Sequence, residues 1–158
     1  MAHGQARSDG VAWALLLVVL FASAPARAAR RVPTMSRRAL TIEQLRELAK
    51  SVGFADDQLD TAAAVALAES GGDPLALNVV TNPAPGFLPE RSVGLWQINT
   101  LAHPEYKEPA LYDPAENARA AFVISHGGTN WSHWTTYNLP ASDPKSYLRY
   151  MPTRGAPT

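Results

Sequence analysis

The chain has 158 residues, no cysteine, and 14 basic against 14 acidic side chains, for a formal net charge of zero. That length gives room for one domain with one core, and without cysteine the fold must be held by packing, with no thiol for a disulfide or a lipid anchor. Zero net charge hides an acidic body: residues 40–150 hold seven Lys or Arg against thirteen Asp or Glu, and no basic stripe interleaves with aromatics, so nucleic acid is a poor partner.

Residues 11–22 (VAWALLLVVLFA) are uninterrupted apolar, preceded by Arg7 and followed by Ser23-Ala24-Pro25-Ala26-Arg27-Ala28. An apolar run flanked by a charge and a small-x-small cleavage pattern reads as a secretory signal peptide over residues 1–28. The run is well short of the roughly 20 residues that span a bilayer, so no stable membrane anchor is expected. The product is then a soluble, secreted or periplasmic protein, expected to be a monomer. A start at Met35 is the competing reading and would leave a cytosolic protein. Arg30, Arg31, Arg37 and Arg38 make residues 29–40 a basic leader, read as a solvated, flexible arm in preference to a dock for an anionic wall polymer.

Thr41 and Gln44 have capping-box spacing, with Leu40 and Leu45 as a hydrophobic staple, which predicts a helix running to Gly53. Its inward stripe is Leu45, Leu48, Ala49 and Val52. A second helix is expected from Asp56 or Asp57 through the alanine-rich run to Gly71-Gly72. Glu69 lies in its last turn, near the border of the apolar face. Burial beside alanines and the negative end of the helix dipole both disfavour the ionised carboxylate, making Glu69 a candidate general acid and base.

The stretch 78–91 is rich in Pro, Asn and Gly and reads as an irregular loop. In 92–99 (SVGLWQIN), Leu95, Trp96 and Ile98 alternate with polar neighbours, which suits a short extended segment or hairpin, with a single helical turn left open. Asp113-Pro114-Ala115-Glu116 combines an N-cap, a first-position Pro and an early acid, starting a helix that ends near Gly127-Gly128. Trp131, Trp134 and Tyr137 follow at spacings of three. Ser142-Asp143-Pro144 then opens a last short helix carrying Tyr147 and Tyr150, and residues 151–158 read as a disordered tail. Aromatics at such spacing are core by default. The string Asn130-Trp131-Ser132-His133-Trp134-Thr135 also suits a polar-lined cleft that stacks sugar rings.

Four local patterns coincide in order: Glu69-Ser70-Gly71-Gly72-Asp73-Pro74-Leu75-Ala76, Gly94-Leu95-Trp96-Gln97-Ile98-Asn99, Leu111-Tyr112-Asp113-Pro114-Ala115-Glu116-Asn117 and Tyr137-Asn138. Together they resemble the successive motifs of soluble-type lytic transglycosylase domains of the lysozyme-like superfamily, across residues 41–150. The resemblance implies a mainly α, lysozyme-like domain with a small irregular or β segment near residues 78–100, acting on peptidoglycan glycan strands. It also implies roles. Glu69 would be the single catalytic acid and base, and Ser70 would orient it or a substrate group. Gln97 and Asn99 would bond to the N-acetylated sugars, and Tyr137 would point its hydroxyl at Glu69. Trp131 and Trp134 are added as cleft aromatics, while Asn117 and Asn138 are structural. The motif usually continues Tyr-Asn-Ala-Gly, whereas here Leu139-Pro140 follow Asn138. Small size and an export signal resemble transglycosylases that open the wall for a secretion apparatus, and the Trp-rich end resembles phage tail versions, so such an apparatus is a candidate partner.

Glycoside hydrolysis ordinarily needs two carboxylates. Asp73 and Asp113 each precede a proline and are better used as turn and cap residues, and Glu90 falls in the expected loop. A lytic transglycosylase needs only one, because the muramic C6 hydroxyl is the nucleophile and the product is a 1,6-anhydro sugar. Two alternatives stand beside it. One is a goose-type-like lysozyme hydrolase using Asp73 or Glu90 to position water, and the other is a non-catalytic peptidoglycan-binding module. No cofactor or metal is implied, since His3, His103, His126 and His133 show no HExxH-like pairing.

Overall fold

The computed structural model describes residues 38–153. The expected signal peptide, the expected basic leader up to Arg37 and the expected tail from Arg154 lie outside the described residues. None of the described helices is long and apolar enough to cross a membrane.

Helix α1 (Ile42–Val52) begins as its sequence dictates: the Thr41 hydroxyl accepts from the Gln44 N–H while the Gln44 side chain accepts from the Thr41 N–H. Such a reciprocal cap satisfies two of the four orphan donors of a helix start. Leu45 and Ala49 are buried against α2 (Leu59–Ser70), which is entered through a short 3-10 turn at Asp56–Gln58. Ala62 through Ala66 are fully covered, so α2 is apolar all round and runs through the middle of the domain. Its small side chains allow the neighbouring helices to approach closely.

Two glycines end α2. Gly71 adopts a left-handed conformation and its N–H bonds to Leu67 O. Gly72, at φ 81°, packs so tightly that a Cβ there would lie 2.4 Å from Leu40 O. The same contact lets Gly72 O accept from Leu40 N at 2.8 Å, tying the end of α2 to the start of α1.

The chain then forms a three-stranded antiparallel sheet in the order β1 (Leu77–Val80), β2 (Glu90–Val93), β3 (Ile98–Asn99). Leu77 faces Val93, Val80 faces Glu90, and Ser92 faces Asn99. The expected irregular loop over 78–91 is therefore corrected at both ends, which are paired strands. The reason it reads as a loop is that β1 is an exposed edge with Leu77, Asn78 and Val79 all open to solvent. With neither face buried, no alternation is imposed on its sequence.

A short α3 (Glu108–Leu111) precedes α4 (Pro114–Ile124), whose Asp113 cap accepts from Ala115 N and Glu116 N as its motif foretells. After the left-handed Gly127 and Gly128 the chain crosses back through a short α5 (Thr135–Asn138). The last expected helix is reduced to a 3-10 turn at Tyr147–Arg149, capped by Ser146.

The core is organised by tryptophan. Trp96 is fully buried and its indole N–H donates to Ala62 O, while the Trp134 indole donates to Trp96 O at 2.7 Å. Trp131 stacks on Phe54 at a centroid distance of 5.8 Å, and Phe54 meets Phe122 edge-on. Buried indoles with satisfied N–H groups lock the position of one element against another.

Candidate functional site

Where α2 ends, its last turn opens onto a cleft of about 320 Å³ formed with the sheet and the segment leading into α5. Glu69 projects into it from α2, Glu90 and Ser92 from β2, Gln97 from the β2–β3 turn, and Asn99 from β3. His103, His133, Trp134 and Thr135 line the remainder, with Ile124 from α4. Residues far apart in the chain thus converge on the end of α2.

Glu69 is half-buried. Burial is the main cause that holds its carboxyl above the ordinary glutamate range, with a smaller push from the nearby charge of Glu90. Hydrogen bonding from Thr136 acts in the opposite sense, since a donor favours the ionised form. The Thr136 hydroxyl donates to Glu69 Oε1 at 2.7 Å. An acid that must give up and recover a proton near neutral pH benefits from this balance of a raised pKa and a fixed geometry.

Thr136 is buried and held from both sides. Trp134, immediately before α5, is anchored by its indole, and Asn138 Nδ2 donates to Ser132 O and Trp134 O. The Trp134 indole thus ties the segment carrying Thr136 to Trp96, and the two Asn138 bonds keep that segment folded. Replacing Thr136 by Val keeps the shape and removes the donor, so Glu69 should stay protonated to higher pH. The descending limb of the pH–rate profile should then move to higher pH with a few-fold loss of maximal rate, and Thr136→Ser should restore both.

Of the sequence-predicted residues, Glu69, Gln97, Asn99 and Trp134 line the cleft. Gln97 sits at φ 46° and its Nε2 donates to Gly94 O and Ala76 O. Asn99 Oδ1 accepts from Arg91 N and Leu101 N. These bonds use the NH2 of one amide and the oxygen of the other, which leaves the opposite atoms for a ligand. Trp134 contributes to the floor, only 5% exposed.

Three of the expected site residues lie elsewhere than the cleft lining. Trp131 is 3% exposed and lies outside the cleft, stacked on Phe54, because the turn at Gly127-Gly128 carries its ring into the core. Its indole N–H is a buried donor without a partner among the described residues. Tyr137 does not reach the cleft: its ring stacks on Tyr147 at 4.6 Å, and its neighbour Thr136 makes the bond to Glu69. On the one-turn α5 a shift of a single residue turns the side chain by about 100°, which decides between the two. Ser70 also stays outside; its hydroxyl donates to Ala66 O and accepts from Gly72 N, finishing the helix.

Conversely, Glu90 does not belong to a loose loop. It begins β2, lines the cleft and accepts from the Ser92 hydroxyl. Asp73, the other alternative acid, accepts from Leu75 N in the turn after α2 and is absent from the lining. His103 and Thr136 carried no sequence signal as site residues, being isolated polar positions in segments without periodicity, whereas His133 belongs to the polar string 130–135 and does line the cleft. Behind the wall, Asn117 is fully buried; its Oδ1 accepts from Trp96 N and its Nδ2 donates to Val93 O and Leu111 O. It fixes the β2–β3 turn on α4.

The sequence model described as a lysozyme-like domain, SLT_3, matches residues 46–136. No curated protein and no solved structure matches the chain. The matched segment contains every cleft residue and ends at Thr136, the partner of Glu69. Since it covers more than half of the sequence and the mainly helical domain with its small antiparallel sheet agrees with it, the chain belongs to the SLT-type lysozyme-like domain family, whose chemistry is the cleavage of peptidoglycan.

Proposed function

We propose that the protein is a lytic transglycosylase that cleaves the β-1,4 bond between N-acetylmuramic acid and N-acetylglucosamine, acting outside the cytoplasm. The observation that carries this reading is Glu69: one half-buried carboxyl with a raised pKa, held by Thr136, in a cleft edged by the amides of Gln97 and Asn99. Glu69 donates its proton to the glycosidic oxygen as the C1–O4 bond breaks. The carboxylate then takes the proton from the C6 hydroxyl of the same muramic residue as its oxygen bonds to C1. The acid is regenerated, no water is consumed, and the product ends in a 1,6-anhydro ring. The 2-acetamido group supports the positive charge at the anomeric centre.

Glu90 supports a second reading. A second carboxylate in the same cleft, close enough for its charge to act on Glu69, is what an inverting hydrolase requires to activate water. The hydroxyl of Ser92 already occupies one oxygen of Glu90, which favours a bound, structural carboxylate over a free base. Digestion of purified peptidoglycan in 18O-water separates the two. The expected products are muropeptides lighter by one water at the muramic end and free of label. Labelled reducing ends as the sole products would replace transglycosylation by hydrolysis.

A further inference from the structure

The cleft continues past the catalytic acid into a region that a neutral glycan does not explain. A smaller pocket of about 270 Å³, lined by Leu88, Pro89, Asn99, Leu101 and Ala102, shares all of these but Leu101 with the main cleft. Leu88 is 85% exposed and Leu101 is 56% exposed, so the shelf they form is apolar and open. Solitary exposed leucines are common, but two flanking one extension of a cleft mark a contact surface.

Beside this shelf stand two histidines. The rings of His103 and His133 lie 6.4 Å apart at 73°, and both line the cleft. The backbone of His103 is held by its amide N–H donating to Asn99 O and by its carbonyl accepting from Tyr106 N, and His133 packs edge-on against Trp134. Among the described residues, no Lys or Arg lines the cleft, so these imidazoles alone can supply positive charge to it. The other ionisable groups on or beside this wall are Glu69, Glu90, Glu105, whose Oε1 is 3.5 Å from His103 Nδ1, and Tyr106. A cleft with two carboxylates repels an acidic ligand unless cationic donors meet it.

We propose that the shelf of Leu88, Pro89, Leu101 and Ala102, together with His103 and His133, is a specificity subsite for the acidic peptide branch of the muramic sugar. This rests on the reading of the cleft as a peptidoglycan site and adds the part of the substrate it selects. The lactyl group and the alanine next to it offer methyl groups that match the shelf. The free carboxylates further along the branch match the two imidazoles, which donate charge-assisted hydrogen bonds when protonated. The neutral sugars are left to Gln97 and Asn99.

The test uses the Glu69→Gln protein at pH 6 and three soluble tetrasaccharides: chitotetraose, a peptide-bearing muramyl glycan, and the same glycan with its peptide carboxylates converted to primary amides. By calorimetry the acidic form should bind about tenfold more tightly than the amidated form. Adding His103→Gln and His133→Gln should bring that ratio close to one, whatever happens to the absolute affinities. Equal binding of the two forms, a preference that survives the histidine changes, or no binding at all would overturn the proposal. The outcomes for the catalytic reading are separate. A preference in Glu69→Gln together with a wild-type protein that cleaves nothing leaves the subsite standing and removes the activity. Cleavage by the wild type without the preference removes the subsite alone.

Discussion

Glu69→Gln is expected to lower peptidoglycan cleavage by about 10²- to 10⁴-fold, the range that a positioned general acid and base contributes. Gln is close to isosteric and its side-chain oxygen can still accept the Thr136 hydroxyl, so the cleft should remain assembled. The fold should gain rather than lose. Burial raises the pKa of Glu69 in the native state, so at a pH above its unfolded value the ionised carboxylate is disfavoured by folding, and a neutral amide avoids this cost. The melting temperature of the variant should therefore exceed that of the wild type at pH 7 to 8, and the difference should shrink as pH falls below the ordinary glutamate range, where the wild-type carboxyl is protonated in both states. Activity followed by release of soluble muropeptides, with melting curves across pH, checks both parts. Loss of activity with a lowered melting temperature at every pH would make Glu69 a structural residue. Undiminished lysis would remove it from the mechanism.

Asn117→Ala should produce the largest loss of stability, about 3 to 5 kcal/mol, because it leaves the N–H of Trp96 and the carbonyls of Val93 and Leu111 buried and without this partner. Domains of this size are stable by only about 5 to 15 kcal/mol, so this loss is a large fraction of the total. The space around the amide is full. A Cβ at Gly94, itself at φ 75°, would come within 2.3 Å of Asn117 Nδ2 and 2.6 Å of Leu111 O. The turn that presents Gln97 to the cleft thus depends on a glycine and on an asparagine of α4. Urea unfolding should show a lower midpoint with an unchanged slope. A stability within about 0.5 kcal/mol of wild type would show that water replaces the three bonds.

Much of the scaffold was legible from local signals. The capping box at Thr41 and Gln44, the double glycine after α2 and the Asp113-Pro114 start of α4 each fix a helix end through bonds within a few residues, and all three stand where they were read. The strands were less legible. Leu77–Val80 finds its partner, Glu90–Val93, across a turn-rich segment and buries neither face, so nothing in its own sequence announces the pairing. The same limit applied to the aromatics: Trp131, Trp134 and Tyr137 follow one another at equal spacing, yet one is core, one is cleft floor and one is stacked on Tyr147. Spacing cannot distinguish these outcomes because no continuous helix carries the three.

By itself, then, the sequence determined the helical scaffold, the family motifs and the acid at the end of α2, since caps, glycine stops and apolar periodicity act over short distances along the chain. Only the tertiary structure decided what surrounds that acid: Thr136 in place of Tyr137 as its hydrogen-bond donor, Glu90 as a second carboxylate in the cleft, and His103 beside His133 on its far wall. Those neighbours come from α5, β2 and the segments before α5 and after β3, brought together by the burial of Trp96 against α2 and of Trp134 against Trp96. Their proximity is a product of long-range packing, and no local pattern encodes it.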